Sequence, residues 1–172
     1  MINSIKIPSI INKTATALVV LIPLAYLVCA WLTEQLGANA VEKVLHTTGD
    51  WALNFIILAM AARTLSGLAW LKWLASYHRA AGLGVFFYAT LHFLTYAAFE
   101  HNFSISEIIS DAARHTRIIF GALAYMLTGV AVVMMLPAIL RRIGFRRVRH
   151  LHKAAVYPAA IAAAVPYVWL VK

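Results

Sequence analysis

The chain has 172 residues, 63% of them hydrophobic, and a mean hydropathy of +0.80, against about 45–50% apolar residues in an ordinary soluble domain. That excess is too large for one globular core and calls for lipid as solvent. The net charge of +9 does not point to nucleic acid, because the basic residues lie between long apolar runs rather than on one soluble face.

A bilayer core of about 30 Å needs roughly 20 mainly apolar residues per helix. About five segments meet that requirement: 14–32, 51–69, 80–99, 117–140 and 150–171. They predict an all-α, polytopic transmembrane helix bundle in which residues 1–172 form a single domain. The first segment contains Cys29, the sole cysteine, and has no clear small-x-small cleavage site, so it reads as a retained helix. One cysteine cannot form a disulfide within the chain, and without CxxCH a covalently attached c-type haem is excluded. Between the third and fourth segments, Phe103, Ile105, Ile108, Ile109 and Ala112 recur at helical spacing. They fit an amphipathic helix in the membrane interface or a partly packed loop. Trp31, Trp51, Trp70, Trp73 and Trp169 fall near span ends, as in an aromatic belt.

Lysine and arginine set the expected orientation. One side holds Lys6, Lys13, Lys72, Arg79, Arg141, Arg142, Arg146, Arg147, Arg149 and Lys153. The other holds Lys43, Arg114, Arg117 and Lys172, together with all six acids: Glu34, Glu42, Asp50, Glu100, Glu107 and Asp111. A cytoplasmic N-terminus and a periplasmic C-terminus follow. The sign of the loops explains the arginine run, which would also attract anionic lipids or a flavin phosphate.

Seven histidines are many for so apolar a chain. Imidazole is the usual axial ligand of b-type haem, and an ionisable group inside a membrane marks a functional site by default. His92, well inside the third segment, is the best single candidate; its competing role is a hydrogen bond to a neighbouring helix. His78 lies 14 residues earlier on the same helical face, about 21 Å away along the axis. It is a second candidate, against a solvated position beside Arg79. His152 opens the fifth segment and is the third, against membership of the basic run RRVRHLHK. Ala155, Ala159 and Ala163 follow His152 on one face, leaving room for a flat macrocycle or for a close helix. His150 reads as solvated, and His46, His101 and His115 as ordinary polar-connection residues. Arg63 would neutralise a haem propionate or reach out to phospholipid.

Four stretches carry a family resemblance. LGANAVEKVLHTTGDWAL (36–53) is similar to the first outer loop of the haem-binding membrane subunits of bacterial periplasmic methionine-sulfoxide reductase systems, the MsrQ or YedZ type. RAAGLGVFFYATLHFLTY (79–96) resembles the third helix of that family, with its histidine at His92. RRVRHLHKAAVY and PYVWLVK resemble the fifth helix, with His152 in the LH position. The wider group is the ferric-reductase-like transmembrane family.

The resemblance implies a multi-pass subunit of the bacterial inner membrane carrying one or two b-type haems, with FMN in some members. Electrons would pass from a quinone or flavin donor to a periplasmic molybdopterin reductase that repairs oxidised methionine. The chain departs from the family in several places. A further fifth-helix histidine is replaced by Val165 and Pro166, and the sequence stops at Lys172 where the family usually adds a sixth helix. His78, conversely, stands where the family more often has a basic residue. The sequence therefore reads as an electron-transfer subunit binding haem through His92, His152 and His78, rather than as an enzyme in itself. The alternative is a haem-depleted descendant serving as a structural subunit of a larger membrane complex.

Overall fold

The computed structural model describes residues 9–170, with side chains from 18 to 168. Lys6 and Lys172, and the side chains of Lys13 and Trp169, lie outside that description. The described chain is helical throughout, and no strand occurs among the described residues. In order, the helices are α1 (Ser9–Leu32), α2 (Ala40–Leu65), α3 (Ala75–Thr95), α4 (Ile105–Arg114), α5 (Thr116–Met134), α6 (Pro137–Ile143) and α7 (Phe145–Leu170). A tight 3-10 turn (Ala69–Leu74) leads into α3, and a wider π-type turn (Tyr96–Glu100) ends it.

Several boundaries differ from the sequence expectation for identifiable reasons. α2 begins eleven residues before the expected 51 because Asn39 caps it. The Asn39 side chain accepts from the Glu42 amide at 3.2 Å and donates to the Glu42 carboxylate at 2.8 Å, a reciprocal arrangement that supplies partners at a helix start. The expected continuous segment 117–140 instead stops at Met134. Leu136 is extended (φ −65°, ψ 135°) ahead of Pro137, since a residue preceding proline avoids the helical region. The 102–115 segment forms α4, whose Ile105 and Ile109 are exposed.

Among the described residues, Ala40–Leu65, Ala69–Glu100 and Thr116–Met134 are long and apolar enough to cross a membrane, and Leu18–Leu32 is a shorter apolar stretch. Many large apolar side chains point outward, among them Leu58, Leu83, Met126 and Ile161. An outward apolar surface of this kind suits lipid rather than water. This is a membrane protein.

Packing divides the bundle into two close pairs, α2 with α3 and α5 with α7, which touch each other less extensively. A core of Phe55, Ile56, Val85 and Tyr88 fills the middle of the first pair, with Trp51, Leu91, Ala160 and Ala163 against it. Gly84 permits the closest approach there, since a Cβ at that position would stand 3.1 Å from the Phe55 ring. Tyr88 is fully buried, and its hydroxyl donates to the Val20 carbonyl of α1 at 2.7 Å. At the acidic end, the Tyr167 hydroxyl donates to Asp50 and ties α7 to α2.

Candidate functional site

Between the two helix pairs lies an apolar cavity with about 910 Å³ of atom-free space, counting the part open to the surface. α2 contributes Ile56, Ala59 and Met60, α3 contributes His78, Arg79 and Gly82, α5 contributes Thr128 and Ala131, and α7 contributes His152, Val156 and Ala159. Small residues at several of these points leave the space unfilled. Gly82 is the clearest instance: a Cβ built there meets nothing within 4 Å, although it sits one helical turn after His78 on the cavity side.

Two of the three candidate histidines meet across this space. The rings of His78 and His152 have centroids 6.4 Å apart and planes at 87°. His78 Nδ1 lies 2.8 Å from the Ala59 carbonyl of α2, and His152 Nδ1 lies 3.1 Å from the Ala131 carbonyl of α5. A carbonyl can only accept, so in each ring Nδ1 carries the proton and Nε2 keeps its lone pair. That is the tautomer of a metal-ligating imidazole oriented by a backbone acceptor.

The separation suits a shared metal. An imidazole nitrogen binds a first-row metal at about 2.0–2.1 Å, and the ring centre lies about 1.1 Å behind it, so two rings on one metal stand roughly 6.3 Å apart. The observed distance matches this. Among the described residues no group of three or more His, Cys, Asp or Glu side chains is gathered for a metal ion. A haem iron asks the protein for two axial ligands only, and the porphyrin supplies the others. The donor set, the separation and the Gly82 cradle therefore fit a haem.

His92 lies elsewhere. Its Nδ1 donates to the Leu45 carbonyl at 2.9 Å, and its ring packs on α2 where a Cβ on Gly49 would stand 3.2 Å away. No second histidine joins it in a ring contact among the described residues. The alanine stripe after His152 divides: Ala159 lines the cavity, whereas Ala163 packs on the aromatic core. Arg79 lines the cavity mouth, and Arg63 follows one turn after Ala59 on α2.

Sequence reasoning passed over two features. Gly82 was legible as the residue one turn beyond a candidate ligand. The Asp111 cluster at the acidic end was not. Tyr96 donates to Asp111 Oδ2 at 2.7 Å, His101 Nε2 lies 3.2 Å from the same oxygen, and His115 Nδ1 lies 2.8 Å from Oδ1. Hydrogen bonds from Tyr96 first, then from His115 and His101, hold the Asp111 carboxyl below the ordinary carboxylate range. The cluster fastens α4 to the end of α3.

Residues 15–164 match the family model described as "Ferric reductase like transmembrane component". The chain is 34% identical over 158 residues to the protein-methionine-sulfoxide reductase heme-binding subunit MsrQ of Herminiimonas arsenicoxydans, covering 92% of this chain and 72% of that protein. It is 34% identical over 160 residues to the protein of the same name from Azospira oryzae, covering 93% and 68%. The magnetosome protein MamZ of Paramagnetospirillum magneticum is 33% identical over 129 residues, which span 75% of this chain and 20% of MamZ. No solved structure matches the chain.

Proposed function

The chain belongs to the ferric-reductase-like transmembrane family, and from that premise we propose that it is a b-type haem subunit moving electrons within a bacterial inner membrane. The observation that carries this reading is the His78–His152 pair, whose 6.4 Å spacing and backbone-bonded Nδ1 atoms suit one iron. His78 and His152 would hold the group, one haem to the chain. His92 is a cross-helix donor at the level where the family's other fifth-helix histidine gives way to Val165 and Pro166.

A haem bound there supplies reversible one-electron chemistry at iron. The chain's residues prepare for it in distinct ways. Ala59 and Ala131 fix the ring planes of the two histidines and make their Nε2 atoms more basic. Ile56, Met60 and Val156 keep the cavity wall apolar, which limits water. Arg79, with Arg63 close by on α2, places positive charge where the carboxylates of a haem would emerge.

The arginine-rich end faces the cytoplasm and the acidic end faces the periplasm, with about five spans between. The relatives' printed name supports a methionine-sulfoxide reductase as the partner that receives the electrons. A quinone or flavin donor would act from the arginine-rich side, next to the iron. The haem-depleted alternative is not favoured, since the similar proteins are named as heme-binding subunits and two imidazoles here line one cavity.

Absorption spectra of detergent-purified variants test the ligands. His78→Ala and His152→Ala should each lose the sharp reduced α-band of a bis-imidazole haem. Unchanged spectra in both variants would reject this site.

A further inference from the structure

The first turns of α7 carry a second feature, on the face away from His152. Arg146, Arg149, His150 and Lys153 are spaced i, i+3, i+4 and i+7, so they share one side of the helix. Together with Phe145 they line a surface depression. Val148, in phase with His152, is buried on the opposite side, at 5% exposure. One stretch of helix thus turns His152 towards the cavity and a basic face outward.

Among the described residues no ion pair neutralises that face. The chain has no acid after Asp111, and the first turn of α7 contains none. Among the described residues every ion pair is between a histidine and an acid at the other end of the bundle. The arginines and Lys153 are therefore available to an anion from outside.

The rest of the stripe indicates which anion. Continuing along the same face, i+4 from Lys153 is exposed Tyr157 and four residues further is exposed Ile161; Val168 follows two turns on. Exposed Phe145 flanks the basic end. The order along the helix is cation, then phenol, then aliphatic surface. A free phosphate would use only the first part. A phospholipid uses all of it: the headgroup meets the arginines, Tyr157 reaches the glycerol level, and the acyl chains lie along Ile161 and Val168.

We propose that this face of α7 binds one acidic phospholipid, with its phosphodiester held by Arg146, Arg149 and Lys153. The site depends on the chain being a membrane protein and not on its carrying haem. Because the lipid grips the turns on either side of His152, it braces the helix end that presents that imidazole.

Native mass spectrometry of the full chain in detergent, with phosphatidylglycerol or phosphatidylcholine of identical acyl chains, tests the proposal. Phosphatidylglycerol should be retained at least about tenfold more tightly, given the gain expected from each basic residue at an anionic surface. The triple variant R146Q/R149Q/K153Q should bind both lipids alike, whereas R114Q/R117Q at the opposite end keeps the preference. Inorganic phosphate should fail to displace the lipid. Equal retention of the two lipids by the native chain overturns the proposal, as does an unchanged preference in the triple variant. Displacement by phosphate would make this a free-anion site and overturn it too. If the triple variant does not purify, the preference of the native chain and its collapse at high salt decide the matter. No readout involves haem, so a negative result leaves the iron site standing.

Discussion

Two glycines two residues apart lie on opposite sides of α3 and have opposite jobs. Gly82 faces the cavity, where a Cβ meets nothing within 4 Å; Gly84 faces the Phe55 ring at 3.1 Å. Gly82→Leu should therefore leave helix content and assembly intact while filling the space a macrocycle needs. The variant is expected to purify as folded protein without a Soret band, checked by circular dichroism and absorbance on one sample. Gly84→Ala should keep the site but strain the core, costing about 1–3 kcal/mol as overpacking generally does, read as a lower unfolding midpoint. The histidines follow the same logic. Each of His78, His92 and His152 donates from Nδ1 to a carbonyl of another helix, so the hydrogen bond alone does not separate ligand from tie. What separates them is the second imidazole, present for His78 and His152.

At the scale of elements, α4 is held to the end of α3 by one carboxylate. Tyr96, His101 and His115 converge on Asp111, while Ile105 and Ile109 remain exposed. Because the folded carboxyl is depressed below its unfolded value, it contributes stability above the ordinary carboxylate range. That contribution disappears as pH falls through the lower, folded value. Hydrogen exchange of the α4 amides should accordingly accelerate on acidification in the native chain. In Asp111→Asn it should be fast already at neutral pH and change little with acid. An α4 that stays equally protected at both pH values would show that its apolar contacts, and not Asp111, hold it. The start of α2 makes a complementary point about legibility. Asn39 and Glu42 stand in the order of a helix-capping pair, so the signal was present in a stretch read as a loop. The end of α5 was also marked, by Pro137. Hydropathy averages both signals away.

For the molecule as a whole, the membrane character and the helical class were legible in the sequence, because lipid solvation leaves a compositional trace, and the candidate histidines stood out as ionisable groups in apolar runs. Invisible were the partners drawn from backbone: the Ala59 and Ala131 carbonyls carry no sequence signal, since any residue offers one. The Tyr167–Asp50 tie joins residues 117 positions apart and was equally hidden. These features give an asymmetric bundle. Its arginine-rich half is open between helix pairs beside the His78 and His152 rings, whereas the level of Phe55 and Tyr88 is filled with aromatic side chains. The proposal of one haem near one face, rather than two stacked across the membrane, rests on this asymmetry.

The haem-to-polypeptide ratio, measured by pyridine haemochrome on the purified native chain and on His92→Asn, which keeps a donor for Leu45, tests that claim most directly. The ratio should be about one in both. A ratio near two in the native chain, or loss of the haem in His92→Asn, would contradict it.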